Sequence, residues 1–137
     1  ELSFTPYQPA AEEEYMNDAQ LAHFRKILLD WKEQLISEAE STKSYIQDES
    51  TAMPDINDRA TQEEEFALAL RTRDRERKLI RKIDKSIAEI DSGDYGFCET
   101  CGVEIGLRRL EARPTATQCI DCKTLSEIKE KQAWGHA

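Results

Sequence analysis

The residues with the most chemistry in this sequence are four cysteines, arranged as Cys98-Glu99-Thr100-Cys101 and Cys119-Ile120-Asp121-Cys122. Seventeen residues separate the two pairs, a spacing that suits a structural zinc site. Each CxxC turn aims two thiolates at one point, and two such turns complete a tetrahedron around Zn²⁺. Four protein ligands leave no open coordination position, so one ion per chain would hold structure rather than do chemistry. Two other readings compete, a pair of disulfides and a thioredoxin-like redox pair. The rest of the chain reads as intracellular and no βαβ pattern surrounds either pair, which weighs against both. No nucleophile–base pair, Gly-rich phosphate loop or dinucleotide fingerprint occurs, and His23 and His136 fit no metal or catalytic arrangement. A protein that is not an enzyme is expected.

Two further groups of side chains carry charge with a purpose. Asp55 and Asp58 lie three apart beside Pro54, with Arg59 and Ala60 following and Glu63, Glu64 and Glu65 one turn on. Asp58 reads either as a plain helix cap or as part of an acidic probe that enters a basic or cation-bearing cavity of a larger partner. Two carboxylates alone make a poor Mg²⁺ site, so any metal there would belong mostly to the partner. From Arg71 to Lys82 the chain carries seven bases and two acids. Arg71, Arg75, Lys78 and Lys82 share one helical face, which is either solvated, ion-paired with the acidic first helix, or able to bind phosphate. The last role needs cations from elsewhere, and Arg108, Arg109, Arg113 and Lys123 are the candidates.

The elements that must position these groups follow from composition and period. Of 137 residues, 34% are charged and 39% hydrophobic, a balance that suits long exposed helices better than one compact ball. A net charge of −9 argues against a protein that coats nucleic acid. No apolar run approaches the ~20 residues needed to span a bilayer. The first residues lack the basic and apolar regions of a signal peptide, so a cytoplasmic location is expected.

Residues 1–16 read as an extended arm, anchored through Phe4 or Tyr7. Asn17 caps a first helix with Gln20 in the capping-box position. Leu21, Phe24, Leu28, Trp31 and Leu35 then repeat in steps of three and four, the period of a coiled-coil seam. Pro54 and its neighbours make the turn, with the tip at 53–60. A second helix over about 58–91 places Phe66, Leu70, Arg73, Arg77, Ile80, Ile83 or Asp84, Ile87 and Ile90 on its inner side. Gly93 and Gly96 end it. Helices of about 33 residues would run about 50 Å and pair antiparallel as a projecting rod. Gly102, Gly106 and Pro114 read as turn residues between the cysteine pairs. Residues 123–131 predict a short amphipathic helix with Leu125 and Ile128 facing inward. The fold class is therefore mostly α: a long antiparallel coiled-coil hairpin over 17–91 on a small globular base, with a four-cysteine zinc finger and a C-terminal helix over 92–137.

Three stretches resemble the DksA/TraR family of transcription factors. They are Pro54-Asp55-Ile56-Asn57-Asp58-Arg59-Ala60, Arg73-Asp74-Arg75-Glu76-Arg77-Lys78-Leu79-Ile80, and the run from Cys98 through Arg108-Arg109-Leu110-Glu111-Ala112-Arg113-Pro114. The resemblance spans about Tyr15 to Lys131. It implies a monomeric regulator that inserts its hairpin into the secondary channel of bacterial RNA polymerase without reading DNA sequence. It also implies that Asp55, Asp58 and Ala60 form the tip near the polymerase active centre. Joint action with ppGpp is implied too, destabilising open complexes at ribosomal RNA promoters and activating some biosynthetic promoters. By the matching motifs, the ppGpp contacts fall on Leu79, Lys82, Arg113 and Lys123, and zinc on Cys98, Cys101, Cys119 and Cys122. A stimulator of transcript cleavage like the Gre factors, or a zinc-ribbon nucleic-acid binder, are the alternatives.

Overall fold

In the computed structural model, which describes residues 4–49 and 56–135, the elements are all helical. In chain order they are α1 (Asp18–Glu49), α2 (Ile56–Ser92), α3 (Leu107–Ala112) and α4 (Ile120–Gly135). Among the described residues the only β pairing is a single antiparallel bridge between Phe97 and Glu104. No described helix is long and apolar enough to cross a membrane. The chain divides into two compact units, Glu1–Leu28 with Lys85–Ala137, and Leu29–Asp84. The expected hairpin is present, and Asp55 of its turn lies outside the described residues.

The start of α1 is written locally. Asn17 Oδ1 accepts from the Gln20 amide at 2.9 Å, and the Leu21 amide closes the first turn on the Asn17 carbonyl. Gln20 does fold its side chain back, but onto the amide of Met16 at 2.7 Å rather than that of Asn17. Its own amide group reaches Glu13 at 2.8 Å, so the buried Gln20 is bonded at both ends.

In the first unit, Phe24, Ile27, Leu28, Ile90, Tyr95, Ile105 and Leu110 are buried. Tyr95, 1% exposed, donates to the Pro114 carbonyl at 2.7 Å, which satisfies its hydroxyl inside the core. Residues of the arm join this core. Tyr7 and Phe4 stack edgewise or tilted on His23, which meets Phe24, whose ring faces Tyr95 at 5.7 Å. The Tyr7 amide donates to Glu111 Oε2 at 2.7 Å. Tyr15 donates to the Gly96 carbonyl and accepts from the Gly106 amide, at 2.7 and 2.9 Å. Gly96 has φ +95°, and a Cβ there would lie 2.8 Å from Met16 Cγ, so only glycine fits.

In the second unit, Lys32 pairs with Asp84 at 2.6 Å and Thr42 reaches Glu76 at 3.2 Å. An advance along α1 is matched by a retreat along α2, the register of antiparallel neighbours. Among the described residues of this unit, Leu35 and Ile83 are the buried apolar ones.

The seam of α2 corrects the expected phase. Ile80, Ile83, Ile87 and Ile90 step by three, four and three. Extending the heptad backwards requires a step of four, to Glu76, then Arg73 and Ala69. The expected seam instead steps three to Arg77 and reaches Leu70, and the structure leaves Arg77 exposed and Leu70 40% exposed. Asp84 is exposed too, so Ile83 holds the inner position. Glu76 is the buried residue instead, at 7% exposure. The expected ion pairs between the Arg71–Lys82 bases and α1 do not form either. Among the described residues none of those seven makes a salt bridge, because six point into solvent.

Candidate metal centre and interaction residues

The first cysteine pair sits on a tight knuckle. The Cys98 amide donates to the Val103 carbonyl at 2.8 Å and the Gly102 amide returns to the Cys98 carbonyl at 2.9 Å. Gly102, at φ +80°, supplies the left-handed turn that lets Cys101 swing back over Cys98. The second pair straddles the start of α4, with Cys119 just before the helix and Cys122 inside its first turn. The Glu99 amide donates to the Thr117 carbonyl at 2.8 Å and ties the two loops together. Gln118 adds a clasp from its amide to the hydroxyls of Thr100 and Ser126, at 3.2 and 3.3 Å.

Four Sγ atoms result, all within 4.8 Å of one another, with Cys101 and Cys119 at 3.7 Å. A tetrahedron with Zn–S bonds of about 2.3 Å has edges of about 3.8 Å. The cluster therefore fits zinc. The cysteines are free thiols, and 3.7 Å far exceeds a disulfide bond of about 2.0 Å. Among the described residues the donor set holds four sulfurs and no fifth group.

The electrostatics suit a cation. The Cys101 amide, then that of Cys119, stabilise the Cys98 thiolate and hold its pKa down to about 6. Cys122 is pushed up to about 12, chiefly by its hydrogen bond to Cys119 and then by that to Cys101. Cys101 is also raised: the Val103 amide pulls it down, but desolvation and the thiols of Cys98 and Cys119 outweigh that. Four sulfurs this close cannot all ionise alone, and a divalent ion removes the conflict. Thr100 and Cys122 amides point at Cys98 and Cys119 sulfur, both at 3.4 Å, as supporting donors.

The other candidate residues are distributed as follows. Asp58 falls in the first turn of α2 and Ala60, exposed, follows it; Asp55 is outside the described residues. Leu79, half-buried, and Lys82, exposed, lie one turn apart on α2 in the second unit. Arg113, exposed just after α3, and Lys123, half-buried on α4, lie in the first unit. Arg109 donates to the Gln118 carbonyl at 3.2 Å and Arg108 pairs with Glu111 at 2.9 Å, so both are engaged in holding the zinc module.

Sequence reasoning missed three features. The six-residue α3 was not foreseen, although Gly106 at φ +101° before Leu107-Arg108-Arg109-Leu110 marks its start. Buried Glu111 collects the Tyr7 amide, the Arg108 guanidinium and His23 Nε2 at 3.4 Å, a convergence no local pattern signals. On α4, Leu125 and Ile128 are 57% and 46% exposed rather than inward. The half-buried positions are Cys122, Lys123 and Ser126, because the cysteines orient the helix by its first turn. From Glu127 to Trp134 every described residue of α4 is exposed.

Comparison with known proteins accords with this geometry. The family described as "DnaK suppressor protein DksA, N-terminal domain" matches residues 20–90, and the "prokaryotic dksA/traR C4-type zinc finger" matches 93–127. The chain is 62% identical over 130 residues to the RNA polymerase-binding transcription factor DksA of Escherichia coli K12. That match covers 95% of this chain and 86% of the relative. The DksA of Haemophilus influenzae is 61% identical, over 95% of this chain and 90% of its own. The solved structure of transcription factor DksA2 from Pseudomonas aeruginosa superposes with a TM-score of 0.82 at 40% identity, covering 90% of this chain and 94% of that one.

Proposed function

The chain belongs to the DksA/TraR family, and on that premise we propose that it binds bacterial RNA polymerase and regulates transcription initiation. The observation that carries this reading is the match to curated polymerase-binding factors at 61–62% identity along 95% of the chain. In this reading the hairpin of α1 and α2 enters the secondary channel and presents Asp55, Asp58 and Ala60 near the active centre. Zn²⁺ on Cys98, Cys101, Cys119 and Cys122 is structural, which the closed four-sulfur cluster supports.

The regulatory ligand is ppGpp, held between this protein and polymerase by Leu79, Lys82, Arg113 and Lys123. Cations suit a multiply charged phosphate ligand. With ppGpp, the protein destabilises open complexes at ribosomal RNA promoters and activates some biosynthetic promoters. It acts in the cytoplasm as a monomer, does no chemistry of its own and reads no DNA sequence.

Run-off transcription from a ribosomal RNA promoter, with and without ppGpp, tests this. The protein should inhibit, ppGpp should deepen the inhibition, and Asp58→Asn should lose most of it. Equal inhibition by wild type and Asp58→Asn would remove the tip from the mechanism.

A further inference from the structure

Burial along the second unit stops abruptly. Among its described side chains only Leu35, Glu76 and Ile83 are buried, and none is buried over 36–48 or 60–75. The two helices there leave a groove of about 540 Å³ between Ser41, Thr42 and Tyr45 on α1 and Leu68, Ala69 and Thr72 on α2. The groove's small hydroxyl side chains bond back within their own helices. Ser41 donates to the Ser37 carbonyl, Thr42 to that of Glu38 and Thr72 to that of Leu68. Such bonds tie each helix to itself and not to its neighbour.

Among the described residues, hydrogen bonds cross from Tyr45 to Glu65 at 3.0 Å and from Thr42 to Glu76 at 3.2 Å. The second shares the one Thr42 proton with the Glu38 carbonyl. Glu76 is the outermost buried residue of α2, and its other oxygen, Oε2, is buried with no partner. The bases beside it in sequence, Arg73, Arg75 and Arg77, form no ion pair with it. A half-satisfied buried carboxyl is thus the boundary between a buried seam and a half-buried one.

We infer that the paired segments 36–48 and 60–75 form a separate opening unit, which parts and recloses while the rest of the described chain stays folded. Helical segments whose facing residues, Tyr45, Phe66 and Ala69 among them, are only half-buried gain less from pairing than a buried seam does, and isolated helices of this length are marginal in water. Glu76 sets where the opening stops, because inward of it Ile80 and Ile83 resume the apolar seam. The consequence for polymerase, a tip carried on a compliant element, rests on the function proposed above; the opening itself does not.

Amide hydrogen exchange on the whole, zinc-loaded chain without polymerase tests it. Amides over 36–48 and 60–75 should exchange at least about tenfold faster than those over 29–35 and 79–84. Glu76→Leu, which replaces the half-bonded carboxyl with an apolar side chain, should slow the distal amides about tenfold and leave α3 unchanged. Thr42→Val, which removes a cross-helix bond, should speed them. Equal protection along the hairpin in the wild type overturns the inference whatever the variants do. So does a Glu76→Leu protein that folds and exchanges at the wild-type rate or faster. A failed transcription assay with the exchange pattern intact would sink the polymerase reading alone.

Discussion

The two units of this chain solve the problem of stability differently. The first fills a small core with rings, Phe24, Tyr95 and the His23–Tyr7–Phe4 cluster, and closes it with bonded polar groups and four sulfurs. Among its described residues the second has two buried apolar side chains and a buried carboxyl, and relies on helix length and cross-helix bonds. The second unit forgoes burial, and the metal ligands and the aromatic core are concentrated in the first. The contrast predicts that equal perturbations have unequal effects.

Zinc removal should have the largest effect. Structural zinc binding contributes on the order of 10 kcal/mol to folding, so Cys119→Ser or chelation should abolish the near-ultraviolet signal of Tyr95. Most far-ultraviolet helix signal should persist, since α1 and α2 hold no ligand. A knuckle that keeps its fold without metal would break the comparison. Acidifying the zinc-loaded protein should release the metal, as protons compete for the four thiolates. Cys98 is depressed and Cys122 raised, so proton competition on acidification is weakest at the former and strongest at the latter.

Phe24→Ala should cost about 3–5 kcal/mol, read as a fall in Tm, because the ring is wholly buried. Leu68→Ala in the second unit, at 54% exposure, should change stability by less than about 0.5 kcal/mol. Similar losses from both would show that the hairpin is packed more tightly than its exposure indicates. Asn17→Ala should cost about 1 kcal/mol in urea unfolding, through the lost cap. A double-mutant cycle on Lys32 and Asp84 should yield at most about 0.5 kcal/mol, falling with salt, since both side chains are partly solvated.

Much of this was legible residue by residue. Thiolate chemistry and the spacing of Cys98, Cys101, Cys119 and Cys122 point to one tetrahedral site whatever the surroundings. The Asn17–Gln20 cap and the α1 seam through Phe24, Leu28 and Leu35 are local rules that the fold kept. The phase of α2 near Arg77 was not legible, because steps of three and four are equally allowed and the tie broke toward a carboxyl. Leu125 and Ile128 are apolar yet exposed, because apolar type does not by itself supply a covering segment.

From the sequence by itself came metal ligation, helix starts and the period of the hairpin, which depend on residue types and spacings a few positions apart. Only the tertiary structure decided that Glu111 gathers Tyr7, His23 and Arg108, that Glu76 is buried, and that α4 turns Leu125 and Ile128 to solvent. Burial and charge pairing are set by which distant segment covers a side chain, and that information exists only once the chain has closed on itself.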